Sequence, residues 1–220
     1  MIETHIQTIL QTLDPQQKLV VVTKTVSIED MQRAYQAGAR IFGENRVQEL
    51  LEKYPFFEDS EVAWHLIGNL QTNKVRYIID KVTMIQSLNR ENLAREIQKQ
   101  AQKHQLVMDC LVEVNIGNEP NKHGLAIEDI HAFLAFLAHE CPNIRVCGLM
   151  AMAPYLPAAE TRPYFQQMFT LFQECQESAT TTPAFTTLSM GMSHDWQVAI
   201  NEGSTMIRIG SAIFTEESVK

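Results

Sequence analysis

The chain has 220 residues, 45% hydrophobic and 20% charged, which is the composition of an ordinary soluble globular protein with enough length for one substantial core. A formal net charge of −8 argues against a nucleic-acid binder that works by neutralising phosphates, and no apolar run approaches the roughly 20 residues of a membrane span. The segment Met1 to Ile6 carries an early acid and no continuous apolar core, so it does not read as a signal peptide. Cys110, Cys141, Cys147 and Cys175 form no CxxC pair and read as buried free thiols, which points to a reducing, cytoplasmic setting.

Ile2, Ile6, Ile9, Leu10 and Leu13 fall at helical spacing before Asp14-Pro15, which predicts a short amphipathic helix serving as a lid or prop. Leu19 to Lys24 is an apolar, β-branched run that reads as a buried strand delivering a lysine at its end. Ser27 then caps a helix through Ala37, with Glu29 and Asp30 in its first turn and Gly38 stopping it. Arg40 to Gly43 is a second strand leading to Glu44-Asn45, and Val47 to Tyr54 a helix closed by Pro55. Val62 to Ile67 is the third strand, Gln71 to Lys74 leads into a helical turn, and Met84 to Ser87 is the fourth strand. Asn89 is expected to cap a long helix from Arg90 to His104, followed by a fifth strand, Met108 to Val114, ending at Asn115. Gly117 to Gly124 reads as an exposed polar loop. Ile127 to His139 is a helix, Ile144 to Met150 the sixth strand, and Thr161 to Ser178 a helix with Pro163 in its first turn. Thr186 to Ser189 is the seventh strand, Asp195 to Glu202 a helix ended by Gly203, and Met206 to Ile209 the eighth strand.

Eight short strands alternating with helices predict one (β/α)8 TIM-type barrel with an extra N-terminal helix, a single domain over residues 1–220; an open doubly wound sheet is the alternative. The barrel is favoured because Lys24, Asn45, Asn69, Asn115, Ser189 and Gly210 all fall at or just beyond strand ends, and closure brings those ends to one rim.

Two clusters at that rim carry chemistry: Ser189 to Ser193 after strand seven, and Arg208 to Ser211 after strand eight. Barrels hold phosphate there, because glycines admit backbone N–H groups to the anion, serine hydroxyls add donors, and the following helix presents its N-terminus. Closure sets this cradle beside Lys24, which suits a phosphorylated aldehyde held as a Schiff base, with partial burial lowering the lysine pKa toward the reactive amine. Arg208, pointing into the rim, would donate to a ring nitrogen without surrendering its proton. The seven histidines are scattered, so no metal site is expected; His194-Asp195 reads as a helix start, and Phe42 and Trp64 as core.

The motifs Val22-Thr23-Lys24, Gly43 to Glu49, Trp64 to Gly68, Gln71 to Lys74, Gly148-Leu149-Met150, Leu188 to Ser193 and Arg208-Ile209-Gly210 together closely resemble the pyridoxal phosphate homeostasis proteins, the YggS/PROSC family. The resemblance spans strand one to strand eight. It implies a fold-type III protein that binds pyridoxal 5′-phosphate (PLP) in a single barrel related to the N-terminal domain of alanine racemase. On that resemblance Lys24 is the Schiff-base lysine and Arg208 the partner of the pyridine nitrogen. Ser193, Gly210 and Ser211 contact the phosphate, Gly191 shapes their loop, and Asn45, His65 and Met150 lie near the ring. Arg46 stands where tyrosine is usual, Ser211 where threonine is common, and the tail Phe214-Thr215-Glu216-Glu217 lacks the usual glycine after Phe214. Glu119, Lys122 and Gly124 match a recurring loop pattern of the family.

The function implied is intracellular homeostasis and delivery of PLP, with apo-PLP enzymes as recipients, no catalytic residues and no robust turnover; a monomer is expected separately, since no apolar helix face looks spare. The alternatives are a PLP-dependent amino-acid racemase and a Schiff-base aldolase. A racemase needs acid–base groups on both faces of its substrate, and no strong candidate for the second face is visible in these motifs.

Overall fold

The computed structural model describes residues 1–119, 123–178 and 182–215. Eight parallel strands, β1 (Lys18–Val22), β2 (Ile41–Glu44), β3 (Ala63–Leu66), β4 (Met84–Leu88), β5 (Met108–Val114), β6 (Ile144–Ala151), β7 (Thr187–Ser189) and β8 (Met206–Ile209), pair in chain order and close into a barrel. The closing seam pairs Lys18 with Met206 through Val21 with Ile209, so the closed barrel is realised rather than the open sheet. β7 and β8 share only the pair Ser189 with Met206, which makes that seam the thinnest.

Helices α1 (Ile2–Thr12), α2 (Ile28–Gln36), α3 (Val47–Lys53), α4 (Glu91–Lys103), α5 (Ile130–Glu140), α6 (Arg162–Gln176), α7 (Trp196–Asn201) and α8 (Ser211–Phe214) accompany the strands. α1 buries Ile2, Ile6 and Ile9 and packs against α2 and α8, so it is a prop. Ser27 caps α2 as expected, its Oγ accepting the Asp30 N–H at 3.1 Å. Between β3 and β4 the connection is a 3-10 turn, Thr72–Tyr77. Asn89 does not cap α4: Arg90 holds the cap position, and Asn89 Nδ2 instead donates to Glu113 Oε2 at 2.7 Å, a bond to a carboxylate that outweighs a surface cap. Phe42 and Trp64 are buried in edge-on contact, centroids 5.7 Å apart, and all four cysteines are buried free thiols. Among the described residues no helix is long and apolar enough to cross a membrane.

The outer core lies between barrel and helices, while a separate cluster of Val20, Met84, Leu111, Cys147, Met150 and Met206 fills the barrel axis. Since strand side chains alternate, the axis-facing residues of each strand recur every second position. β6 breaks the alternation. Cys110 pairs with Val146 and Leu111 with Gly148, so Cys147 is the extra residue of a bulge. Gly148 makes this possible: at φ +147° any Cβ would sit 1.8 Å from Thr187 O.

Candidate functional site

Alternation carries the axis-facing rows upward to the rim: Val20 leads to Val22 and Lys24, and Met206 to Arg208 and Gly210. These rows end in a cavity of about 310 Å³ lined by Val22, Lys24, Asn45, Ser193, Arg208 and Gly210, with Ile67, Met152, Tyr155, Met192, His194 and Ser211 completing it. That volume is at the small end of ligand pockets, which run from about 300 to 1,000 Å³. Lys24 lies two residues past the end of β1 and is exposed, contrary to the expected partial burial. The reason is that Val22 is the last packed residue of the axis-facing row of β1, and the next residue of that row, Lys24, reaches the open rim.

At one end of the cavity, Ser193 Oγ accepts the backbone N–H groups of Gly210 at 3.3 Å and Ala212 at 3.2 Å. Two amides converging on one oxygen form a small nest that the Ser193 oxygen fills, and the hydroxyl hydrogen of Ser193 is used by neither bond. A Cβ at Gly210 would come 3.2 Å from both Val22 Cβ and Val22 O, a tight contact that Val22 would have to yield to by a few tenths of an ångström. Gly191 turns the preceding loop at φ +95°, where a Cβ would meet Ala199 Cβ at 2.6 Å. Asp195 Oδ1 ties the same loop by accepting the Met192 N–H at 2.7 Å, and its Oδ2 lies 3.4 Å from His194 Nε2 without hydrogen-bond geometry.

Arg208 lines the same cavity and is buried to 4% exposure. Its Nη1 donates to Ser189 Oγ at 2.6 Å and its Nη2 to Ala151 O at 2.9 Å. Burial pulls its pKa down to about 10, with Glu113 and Asp195 opposing, so the guanidinium stays charged at neutral pH. Burial also raises the Glu113 carboxyl above its ordinary value, against the Asn89 hydrogen bond.

The loop bearing Lys24 is anchored from below. Lys53 Nζ donates to Glu44 Oε1 at 2.7 Å and to Thr23 O at 2.6 Å, and Thr23 Oγ1 donates to the same Glu44 oxygen at 2.6 Å. On the other side of Lys24, the Thr25 N–H donates to Glu49 Oε2 at 3.1 Å, with Thr25 at φ 60°. The two neighbours of Lys24 are thus both held by side chains of β2 and α3.

Of the residues predicted from sequence, Lys24, Asn45, Ser193, Arg208, Gly210 and Ser211 come together in the cavity lining. Gly191 is buried behind it, and His65 and Met150 do not line it but lie buried in the barrel interior. Arg46 does not line it either: its side chain is 77% exposed and pairs with Glu49. Glu119 exchanges hydrogen bonds with Asn115, whereas Lys122, Pro120, Asn121, Glu216 and Glu217 lie outside the described residues. The sequence did not single out Met152, Tyr155 and His194 in the lining, nor the buried Gln86 beneath Arg208, whereas Met192 and Ser189 belong to the cluster read after strand seven. The rim residues all sit within a few positions of strands six and seven, which is the signal that would have found them.

Residues 1–218 match the family described as "Alanine racemase, N-terminal domain". The chain is 47% identical over 200 residues to the pyridoxal phosphate homeostasis protein of Aquifex aeolicus, covering 90% of this chain and 86% of that one. It is 34% identical to the protein of the same name from Synechocystis, covering 94% of each. Among solved structures it is similar to PipY of Synechococcus elongatus with PLP bound, with TM-score 0.89, 34% identity, and coverage of 97% of this chain and 100% of that one. Alanine racemase from Corynebacterium glutamicum shares the fold, with TM-score 0.74 at 15% identity over 97% of this chain and 59% of that one.

Proposed function

The chain belongs to the alanine racemase N-terminal domain family, among its pyridoxal phosphate homeostasis proteins, and on that premise we propose that it holds PLP in the rim cavity and delivers it to other proteins. The observation that carries this reading is the convergence of an exposed amine, a buried permanent cation and an amide nest on one cavity. PLP supplies an aldehyde that condenses with a primary amine, releasing water. Lys24 is the amine, and its exposure keeps it open to exchange with an incoming amine. Ser193, Gly210 and Ser211 hold the phosphate, with Gly191 shaping the loop that brings Ser193 to Gly210. Arg208 donates to the pyridine nitrogen and Asn45 flanks the ring. His65 and Met150 support the ring from within the barrel rather than by lining the cavity.

Residues 1–220 act as one PLP-binding barrel domain, which the family match over residues 1–218 supports. The protein works as a cytoplasmic monomer. The buried free thiols support the reducing compartment, and the small number of exposed large hydrophobic side chains among the described residues supports the monomer.

Arg208 supports delivery rather than turnover, together with the lack of a second-face base among the motif residues. A guanidinium that keeps its proton gives the ring nitrogen a hydrogen bond and no charge, which weakens the ring as an electron sink. The test is to mix PLP-loaded protein with an apo-PLP enzyme and, separately, with L- and D-amino acids. Recovered activity of the apo-enzyme without steady conversion of any amino acid is expected. Multiple turnover that Lys24→Ala abolishes would make racemase or aldolase chemistry the primary function.

A further inference from the structure

Beneath the cavity the barrel axis is not wholly apolar. Four polar side chains from four strands, Arg208 (β8), Ser189 (β7), Gln86 (β4) and His65 (β3), form a continuous buried chain. Ser189 Oγ accepts from Arg208 Nη1 at 2.6 Å, its hydroxyl donates to Gln86 Oε1 at 2.8 Å, and Gln86 Nε2 donates to His65 Nδ1 at 2.9 Å and toward Met206 Sδ at 3.2 Å.

The sense of these bonds is forced from the top. A guanidinium has only donors, so Ser189 must present a lone pair to Arg208 and send its one hydrogen elsewhere. The acceptor it meets is the Gln86 carbonyl, which commits the Gln86 amide nitrogen to His65. His65 Nδ1 must then accept, so the imidazole is neutral with its hydrogen on Nε2. Burial holds the imidazole pKa down at about 3, in keeping with that state. A serine that ended the chain would have a hydroxyl free to rotate. Here rotation breaks a buried bond, at a cost of the order of a lost hydrogen bond.

We infer that Gln86 and Ser189, backed by His65, are positioning residues that fix the guanidinium of Arg208 for contact with the ring nitrogen of PLP. The inference rests on the reading that PLP binds in the rim cavity. Arg208 also donates to Ala151 O, so two fixed acceptors set its plane and its remaining N–H groups are left to the cavity it lines.

The test uses the full chain with Gln86→Met, Gln86→Glu and Ser189→Ala, each alone and in an Arg208→Gln background. Three quantities are read: the PLP dissociation constant, the position of the visible band of the PLP-loaded protein, and the unfolding midpoint without PLP. Gln86→Met is expected to raise the dissociation constant about fivefold, the equivalent of one hydrogen bond, and to move the band. Gln86→Glu keeps an oxygen for the Ser189 hydroxyl and, as the neutral acid, a hydrogen for His65 Nδ1, so its binding loss is expected to be smaller than that of Gln86→Met. In the Arg208→Gln background the effect of Gln86→Met on binding is expected to vanish, while its effect on the unfolding midpoint persists. An unchanged constant and band in Gln86→Met, or an equal binding loss in both backgrounds, would overturn the inference. If Gln86→Met does not fold, Ser189→Ala compared with Gln86→Glu is judged by the same criteria. Failure of the underlying reading shows elsewhere, as a wild-type protein that gains no visible band from PLP.

Discussion

Lys53→Met tests how the Lys24 loop is held. Glu44 is fully buried, and its Oε1 accepts from both Lys53 and Thr23 while its Oε2 has no hydrogen-bond partner. Removing Lys53 strips the carboxylate of its counter-charge and Thr23 O of its donor, and breaking one partner of a buried pair costs about 3–5 kcal/mol. Against a total folding stability of about 5–15 kcal/mol this is a large fraction. Urea unfolding at neutral pH, followed by both tryptophan fluorescence and circular dichroism, reads the loss directly. The double variant Lys53→Met, Glu44→Gln removes both charges and is expected to recover more than half of it. PLP affinity is expected to fall in the single variant and to return partly in the double, because Thr23 and Thr25 on either side of Lys24 hang from this network. A single-variant cost below about 1 kcal/mol, or a double variant as damaged as the sum of its parts, would refute the argument.

Three further outcomes are expected. His65 has its folded pKa depressed to about 3 from 6.5, so the stability tied to its neutral form is complete above pH 6.5 and is lost as pH falls toward 3. The slope is about 1.4 kcal/mol per pH unit, or about 2 kcal/mol by pH 5, and unfolding midpoints of wild type and His65→Asn that ran parallel from pH 7 to 5 would contradict it. Gly191→Ala forces an alanine to φ +95° with its Cβ 2.6 Å from Ala199 Cβ, and is expected to cost about 1–3 kcal/mol and to weaken PLP binding; an unchanged thermal midpoint would exclude the strain. Lys24→Ala should lose covalent attachment yet bind PLP more tightly than Ser193→Ala, Ser211→Ala with Lys24 retained, since charge-assisted hydrogen bonds to the phosphate are worth about 1.5–3 kcal/mol each. Equilibrium dialysis of the two variants decides the order.

Much of the site was legible because the strand period of two is local. Val20, Val22 and Lys24, like Met206, Arg208 and Gly210, can be read off one strand at a time, and each row ends at the rim. The β6 bulge was not legible: the extra Cys147 changes the parity, so Met150 packs in the barrel axis and Met152 reaches the cavity. Only Gly148 hints at it, and a glycine in a strand has several explanations. Asn89 illustrates a second limit. Its position fits an N-cap, but Glu113, 24 residues on, offers a stronger partner that no local pattern reveals. The Gln86–Ser189 bond spans 103 residues and exists only because the barrel closes. The burial of Lys24 was misjudged for a related reason, since nothing local says that Val22 is the last packed residue of its row and leaves the lysine at the rim.

The central claim is that Lys24 holds PLP at the rim. Wild-type protein should be incubated with PLP, reduced with borohydride and digested, and the modified peptide identified by mass spectrometry. The account predicts one pyridoxyl-modified residue, Lys24, with Lys53 unmodified because its Nζ is buried and bonded to Glu44 and Thr23. Stable modification at another lysine with Lys24 untouched, or no modification despite bound PLP, would contradict it.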